Sequence, residues 1–380
     1  MNHDVAVIAD DLTSAADGAA PFLAAGLRAS VLLDPTRAQM DGGPEVVAID
    51  TDTRRRPAAV AARVTTAAVR AVRDRRVLYK TIDSTLRGNI RDEVRTALAA
   101  SGRRAAIIAP AFPAAGRTTV GGVQLLDGVP VHETGFAADP THPVRSSSLA
   151  TLLPEAAPWT PGEPTTHRIV FADAACDADL DRIVHGTALE DVLWVGSPGI
   201  AAALARAVAT APAPPVTPVR PRVQRVLVVV GSRNRASLAQ LDQLLPRTGI
   251  ADAGGPVDDV LATLGTTFAG TGVAGLTDRT AESTVDEAAA RLSRAVVAAR
   301  RSDLFDAVIV TGGATARAML DALRIGALDL LAEPEPGVVA AATTGPDRFP
   351  ILVKAGGFGD PGTFVRLHRL LTSHIGQEQP

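Results

Sequence analysis

A single cysteine, Cys176, in 380 residues excludes an intramolecular disulfide. A lone thiol is usually inert structure unless its surroundings activate it, and a reducing, cytoplasmic compartment is the expectation. Aromatic residues are scarce, 3% against 46% hydrophobic, so the cores must be built from Ala, Val, Leu and Ile. That composition suits buried parallel strands covered by helices. No apolar run approaches the ~20 residues a membrane span requires, and the first strand-like run starts at Val5, leaving no stretch for a signal peptide. Formal net charge is −3 with no long run of one sign, although Arg54, Arg55 and Arg56 are adjacent. This argues against nucleic acid as the main partner. Lysine is the scarcest charge: of 38 Lys and Arg side chains only Lys80 and Lys354 are lysine. Each ends an apolar run and opens a cluster of small polar residues. A compact ammonium kept among so many planar guanidinium forks points to anion, and above all phosphate, handling.

At this length two domains are expected. Short β-rich runs alternate with Ala-rich stretches: 5–9, 29–33, 45–49, 76–80 and 105–109, with the spaced apolar positions of 57–72 reading as a covering helix. After Pro110 a Gly- and Pro-rich stretch reads as a long functional loop. Strand signals resume at 168–172 and 192–196, followed by a helix ending near Ala209. The segment 211–222 carries five prolines and no period, and reads as an interdomain linker. A second α/β series follows, with strands at 225–230, 305–310, 337–342 and 349–354 and a helix near 287–300. The pattern predicts two α/β domains with mainly parallel sheets, 1–210 and 224–380, joined by a linker over 211–223.

The opening strand runs into A-D-D-L-T-S-A-A-D (9–17), placing two adjacent carboxylates where open α/β sheets bind ligands. Asp11 or Thr13 would also serve as a helix cap, but capping leaves Asp10 and Asp17 unexplained. The string K-T-I-D-S-T-L-R-G-N supplies Lys80, Asp83, Ser84, Arg87 and Asn89 within ten residues. Arg and Lys take a carboxylate while Asp, Ser and Asn take hydroxyls, an inventory suited to a polyhydroxylated anion. Ser84 as a helix cap is the plainer alternative. Arg117 sits in G-R-T-T-V-G-G, and His142 further on is left without a role.

In the second series three strands end in glycine turns: Gly231-Ser232, Gly312-Gly313-Ala314-Thr315, and Lys354-Ala355-Gly356-Gly357. Glycines at helix N-termini offer amides and a positive dipole end to phosphate, although one such turn alone only marks a tight bend. Neither G-x-x-x-x-G-K-[ST] nor a G-x-G-x-x-G strand–helix fingerprint occurs. A nucleotide site here is neither a P-loop nor a dinucleotide fold.

The order A-D-D-L-T-S-A-A-D, D-T-D-T-R (50–54), K-T-I-D-S-T-L-R-G-N, P-A-F-P-A-A-G-R-T-T-V-G-G, G-S-R-N, T-G-G-A-T-A and K-A-G-G-F-G resembles the four-carbon acid sugar kinase family over nearly the whole chain. The resemblance implies ATP-dependent phosphorylation of a tetronate or 3-oxo-tetronate, with an N-terminal acid domain and a C-terminal nucleotide domain. It puts nucleotide contacts on Ser232, on Gly313 to Ala316 including Thr315, and on Gly356. The acid side falls on Asp10, Asp11, Arg54, Lys80, Asp83 and Arg87. The chain departs from the family's pattern at Ser14, Asn234, Ala314 and Ala355; the missing acid at 314 weakens any metal or ribose assignment at that position.

The expectation is a kinase with its acid bound in the interdomain cleft, with Asp11 ahead of Asp10 and Asp83 as the base. Arg54, Lys80, Ser84, Arg87, Asn89 and Arg117 would hold the acid; Lys354, Gly356 and Gly357 would hold ATP with Mg²⁺ on its phosphates. No metal ligand set is legible, no membrane is expected, and a homodimer is allowed. The rivals are a haloacid-dehalogenase-type phosphatase, which normally separates its two aspartates by one residue, and a catalytically silent sugar-acid sensor.

Overall fold

The structure, a computed structural model, describes residues 5–34, 43–139, 142–209, 223–232, 234–245, 249–280 and 283–373. Of the expected linker, 211–223, all but Val223 lies outside them. The chain divides into two compact units, Met1–Pro215 and Val216–Pro380.

The first unit runs β1 (Val5–Ala9), α1 (Leu12–Ala24), β2 (Ala29–Leu32), β3 (Val46–Asp50), α2 (Ala58–Val72), β4 (Val77–Thr81), α3 (Ile90–Ser101) and β5 (Ala105–Ala109). It continues with β6 (Arg117–Val120), β7 (Val123–Leu126), β8 (Val129–Pro130), α4 (Leu149–Leu152), β9 (Ala157–Pro158), β10 (Ile169–Phe171), α5 (Asp177–His185), β11 (Val192–Gly196) and α6 (Pro198–Val208). Its main strands lie in the order β2-β3-β1-β4-β11-β5-β10-β9, every pairing parallel. Every residue of β1, β3, β4 and β11 is buried, as the continuous Val/Ile/Leu/Ala runs require of strands covered on both faces. The covering helix α2 turns Ala61, Thr65, Ala68, Val69 and Val72 inward at helical spacing.

The second unit runs β12 (Val226–Val230), α7 (Arg235–Leu244), β13 (Ile250–Asp252), α8 (Val257–Thr271), β14 (Val273–Thr277), α9 (Val285–Arg301), β15 (Ala307–Thr311), α10 (Gly313–Ala322), β16 (Ala327–Glu335), β17 (Val338–Thr343), β18 (Pro350–Lys354) and α11 (Thr363–Thr372). Strands β13-β14-β12-β15-β18 are parallel, and β17 and β16 follow antiparallel. The opening windings of the units match: β2-β3-β1-β4 and β13-β14-β12-β15. In each, the chain reverses direction beside its first strand, which opens a crevice at the carboxyl ends there.

Every strand anticipated from the sequence forms, its ends shifted by at most two residues. The two-residue β9 and three strands of the second unit escape the pattern. Strand β14 carries Gly275 in its middle, β13 has only three residues, and β16 carries Asp329, Glu333 and Pro334 in a bulged antiparallel pairing. The stretch after Pro110, expected to be a loop, instead folds β6, β7 and β8 into a separate antiparallel sheet with turns at Gly121-Gly122 and Asp127-Gly128. Positive φ at Gly121, Gly122, Asp127 and Gly128 explains why a glycine-rich stretch folds as hairpins.

Candidate active site

In the first unit, three loops meet at the carboxyl ends of β1, β3 and β4. Asp11 caps α1, its Oδ1 accepting from Ser14 N at 2.8 Å and from the Thr13 hydroxyl at 3.0 Å. The loop after β3 is pinned to β1 because Thr53 N and Arg54 N both donate to Asp10 O, at 2.8 and 3.0 Å. That places the Arg54 guanidinium on both carboxylates. Nε and Nη2 each lie 2.8 Å from an Asp10 oxygen, Nη2 also reaches Ser14 Oγ at 2.7 Å, and Nη1 pairs with Asp11. Burial pushes the Asp10 carboxyl up, but Arg54, with Lys80 behind it, more than offsets this and holds it below the ordinary range. The third loop lies close on Asp10: Gly88 has φ +96°, and a Cβ there would stand 3.0 Å from Asp10 Oδ2.

That third loop carries the second charged pair. Arg87 donates from Nε and Nη2 to Asp83 at 2.7 and 2.9 Å, and the Thr85 hydroxyl bonds the same carboxylate. Burial opposes ionisation of Asp83, yet Arg87 and Arg54 hold it far below the usual carboxylate range. Leu86, between them, has φ +63°, a left-handed conformation rare for a branched side chain and of the kind that clusters at functional loops. Arg87 also pairs with Asp139 at 3.4 Å and lies 5.1 Å from the Phe136 ring centre. Arg117, half-buried at the start of β6, donates to Ala115 O; burial draws its pKa down against the pull of Asp83 and Asp127.

The expected acid ligands therefore divide. Lys80 is fully buried, its ammonium enclosed by Glu93 Oε2 at 2.8 Å and Thr81 O at 2.7 Å, beneath the loops rather than among them. Asn89 spends its amide on Thr53 O and Arg56 O, at 3.1 and 2.9 Å, and so ties the second loop to the third. Each nitrogen of Arg54 has a protein acceptor, and so has each of Arg87, its Nη1 only at 3.4 Å from Asp139. Arg87 is the more open of the two guanidinium groups, 27% exposed against 13% for Arg54. Ser84 is not a cap: α3 begins after Asn89. The half-buried Ser84 hydroxyl makes no hydrogen bond among the described residues, while its carbonyl accepts from Gln124 Nε2 at 2.9 Å. Among the three aspartates, Asp11 is the most open, its side chain 18% exposed against 4% for Asp10 and 11% for Asp83.

Sequence reasoning missed Glu93. It is 2% exposed, accepts from Lys80 and from the Thr53 hydroxyl (2.6 Å), and burial pushes its carboxyl up, with Lys80 pulling back. The signal was present: Glu93 interrupts the inward stripe of α3, Ile90, Val94, Ala97 and Leu98.

In the second unit, β12, β15 and β18 are neighbours, and their glycine turns interlock. Gly231 N donates to Thr311 O at 3.2 Å and Gly312 N to Lys354 O at 3.3 Å. A Cβ on Gly231 would stand 2.6 Å from Thr315 Cβ, and one on Gly356 3.0 Å from Ser232 Cβ. Only glycine allows that packing. Gly312, with φ +99°, precedes α10 without a side-chain cap, leaving the first amides of the helix for a ligand. Thr315 and Ala316 are buried; Gly313 and Ala314 are half-buried at the mouth of the turn, and Gly357 is exposed. Asn234 caps α7 by accepting from Ala236 N at 2.9 Å, so this departure from the family pattern keeps the capping role.

Lys354 is fully buried under the third turn. Burial holds its pKa down to about 8 from 10.5, against a pull from Glu335. Below pH 8 the folded state carries a buried charge that unfolding relieves; between pH 8 and 10.5 the folded lysine is neutral while the unfolded one still binds a proton, so stability rises with pH. Lys354→Met is accordingly expected to be the more stable protein at pH 7, by up to roughly 3 kcal/mol. The gap closes as pH passes from 8 towards 10.5. Urea unfolding of both proteins across that range measures it, and a constant gap would contradict the buried charge.

One α/β unit with arginines and aspartates gathered at its switch point, followed in the chain by another with interlocked glycine turns, defines a two-domain phosphotransferase with an alcohol acceptor. The chain belongs to the four-carbon acid sugar kinase family: residues 5–165 match a sugar-binding N-terminal domain and residues 227–364 a nucleotide-binding C-terminal domain. It is similar to a D-threonate kinase of Cupriavidus necator, 35% identical over 96% of this chain and 97% of the relative, and to one of Bordetella bronchiseptica, 34% identical over 95% and 96%. A crystal structure from Bordetella bronchiseptica, described as a domain-swapped dimer with bound citrate, is 31% identical with TM-score 0.51 over 97% of this chain and 98% of that one. The phosphatase alternative falls with the family. The two aspartates are adjacent, and the full-length relatives are kinases. No helix among the described residues is long and apolar enough to cross a membrane.

Proposed function

We propose that the protein transfers the γ-phosphoryl group of ATP to a hydroxyl of D-threonate or a closely related four-carbon acid. The observation that carries the acid side is the guanidinium of Arg87, more exposed than that of Arg54, lying over the Phe136 ring and within electrostatic reach of Arg117, on the loop that also carries the unbonded Ser84 hydroxyl. Arg87 and Arg117 hold the carboxylate, and Ser84 takes a hydroxyl of the acid. Arg54 places Asp10 and Asp11, and Asp11, the most open of the three aspartates, orients the hydroxyl that attacks. Ser232, the amides of Gly313, Ala314 and Thr315, and those of Gly356 and Gly357 receive the nucleotide phosphates. When bound, Mg²⁺ neutralises phosphate charge; no cluster of three or more metal-ligating side chains occurs among the described residues, in keeping with an ion held mainly by phosphates. The identity of full-length relatives as D-threonate kinases supports threonate as the first acid to try, and a kinase of this kind works in the cytoplasm. The acid unit is assigned to 1–210 and the nucleotide unit to 224–380.

ADP release measured with threonate, erythronate and their 3-oxo forms tests the reading. Arg87→Ala is expected to raise KM for the acid about 10- to 150-fold, the equivalent of one charge-assisted contact of ~1.5–3 kcal/mol, with KM for ATP unchanged. Equal changes in both KM values would instead mark Arg87 as scaffold.

A further inference from the structure

Lys354 is enclosed without a carboxylate in ion-pair reach among the described residues, because Glu335, the acid acting on it, is held by Arg366 through bonds of 2.6 and 2.9 Å. Its ammonium donates to Ala355 O at 3.0 Å and lies 5.8 Å from the Phe364 ring centre. Two more buried side chains treat the same loop alike: the Ser237 hydroxyl donates to Gly356 O at 2.8 Å and Gln240 Nε2 to Phe358 O at 3.1 Å. Three carbonyls of the loop 355–358 are thus tied down to side chains of β18 and α7. The Gly356 and Gly357 amides, by contrast, donate to no described group. Gln240 Oε1, buried beside this loop, also has no partner among the described residues. A backbone with its carbonyls fixed and successive amides unspent is a seat for an anion, and a cation buried behind it acts through a low dielectric.

We propose that Lys354 is a positioning residue for the nucleotide: together with Ser237 and Gln240 it fixes the carbonyls of the loop so that the Gly356 and Gly357 amides receive a phosphate. This rests on the second unit being the nucleotide unit and adds that the lysine works through the loop without touching the phosphate. Its hydrogen-bond acceptor is the loop's own backbone, and the ammonium is buried where Gly357 is exposed.

Calorimetric titration of the full chain with ADP, and steady-state kinetics with ATP varied, test it. Removing the buried charge leaves the fold intact or firmer, so Lys354→Met reports on the loop. Its ADP affinity is expected to fall about 10-fold or more, the scale of one charge-assisted bond. KM for ATP rises by the same factor while KM for the acid stays put. Ser237→Ala weakens ADP in the same sense. Because both act on one loop, the double variant should be within about twofold of the worse single one. Wild-type ADP affinity in folded Lys354→Met overturns the proposal, as do losses that multiply in the double variant, which would mean separate actions. If the unaltered protein itself gives no ADP binding, the nucleotide reading fails and the proposal with it.

Discussion

Asp11→Asn lowers kcat by roughly 10²–10⁴-fold, the range for loss of a positioned base, and leaves KM for ATP within about threefold. The substitution is informative because the structural duty of the residue survives it. Asp11 Oδ1 caps α1 through Ser14 N and the Thr13 hydroxyl, and asparagine caps a helix as well as aspartate. What disappears is the charge and basicity of Oδ2, which faces Arg54 Nη1. The other two aspartates answer differently. Asp10 and Asp83 each have both oxygens bound by an arginine, so Asp10→Asn and Asp83→Asn break buried pairs and show as lost stability first. Steady-state rates together with urea unfolding of the three variants separate the cases. An Asp11→Asn enzyme with unaltered kcat would remove Asp11 as the base.

The fold was legible wherever burial on both faces wrote itself as an unbroken apolar run. Strands β1, β3, β4, β12, β15 and β18 are of that kind, and their C-terminal neighbours, Asp10-Asp11, Arg54, Asp83, Ser232, Gly312 and Gly356, were legible as candidates because parallel sheets put ligands there. Strands β14 and β16 were not, since Gly275 and the Asp-Leu-Leu-Ala-Glu-Pro run belong to no period; their place is decided by pairing with neighbours far along the chain. The same limit governs the site. A list of charged side chains within ten residues says that charges converge but not which charge faces which. Lys80 and Arg87 read alike in the sequence, yet Lys80 is on a strand that buries both faces and Arg87 is on a loop. Only the through-space partner, Glu93 on α3, shows that the Lys80 ammonium is engaged within the fold. Lys354 repeats the lesson. The scarcity of lysine did point to two unusual sites, but both ammonium groups are buried beneath loops, one held by a carboxylate and one by a carbonyl.

Lys80→Met therefore acts on stability before it acts on the acid. It leaves Glu93 buried without its cation, and breaking a buried pair in that way lowers stability by ~3–5 kcal/mol. Burial already pushes the Glu93 carboxyl up, so in the variant it takes a proton instead of staying charged. Between the ordinary carboxyl pKa and the shifted one that proton must be taken from solution, and the loss grows as pH rises through that window. The sign is that of a carboxyl whose folded pKa lies above its unfolded value: stability present at low pH and withdrawn as pH rises through the folded pKa. Replacing both partners, Lys80→Met with Glu93→Leu, removes both buried charges at similar volume and should recover most of the lost stability. Thr53 keeps a partner in that double variant, because its hydroxyl also meets Thr51 Oγ1 at 2.8 Å. The loop carrying Arg54 consequently stays pinned to Asp10 through backbone bonds that neither substitution touches. KM for the acid is then expected to remain within about fivefold, the size of a small displacement and well short of a lost charge-assisted bond. A well-folded double variant with KM raised by a hundredfold would restore Lys80 to the acid itself. Denaturant midpoints paired with acid-dependent rates on the two variants decide between scaffold and ligand.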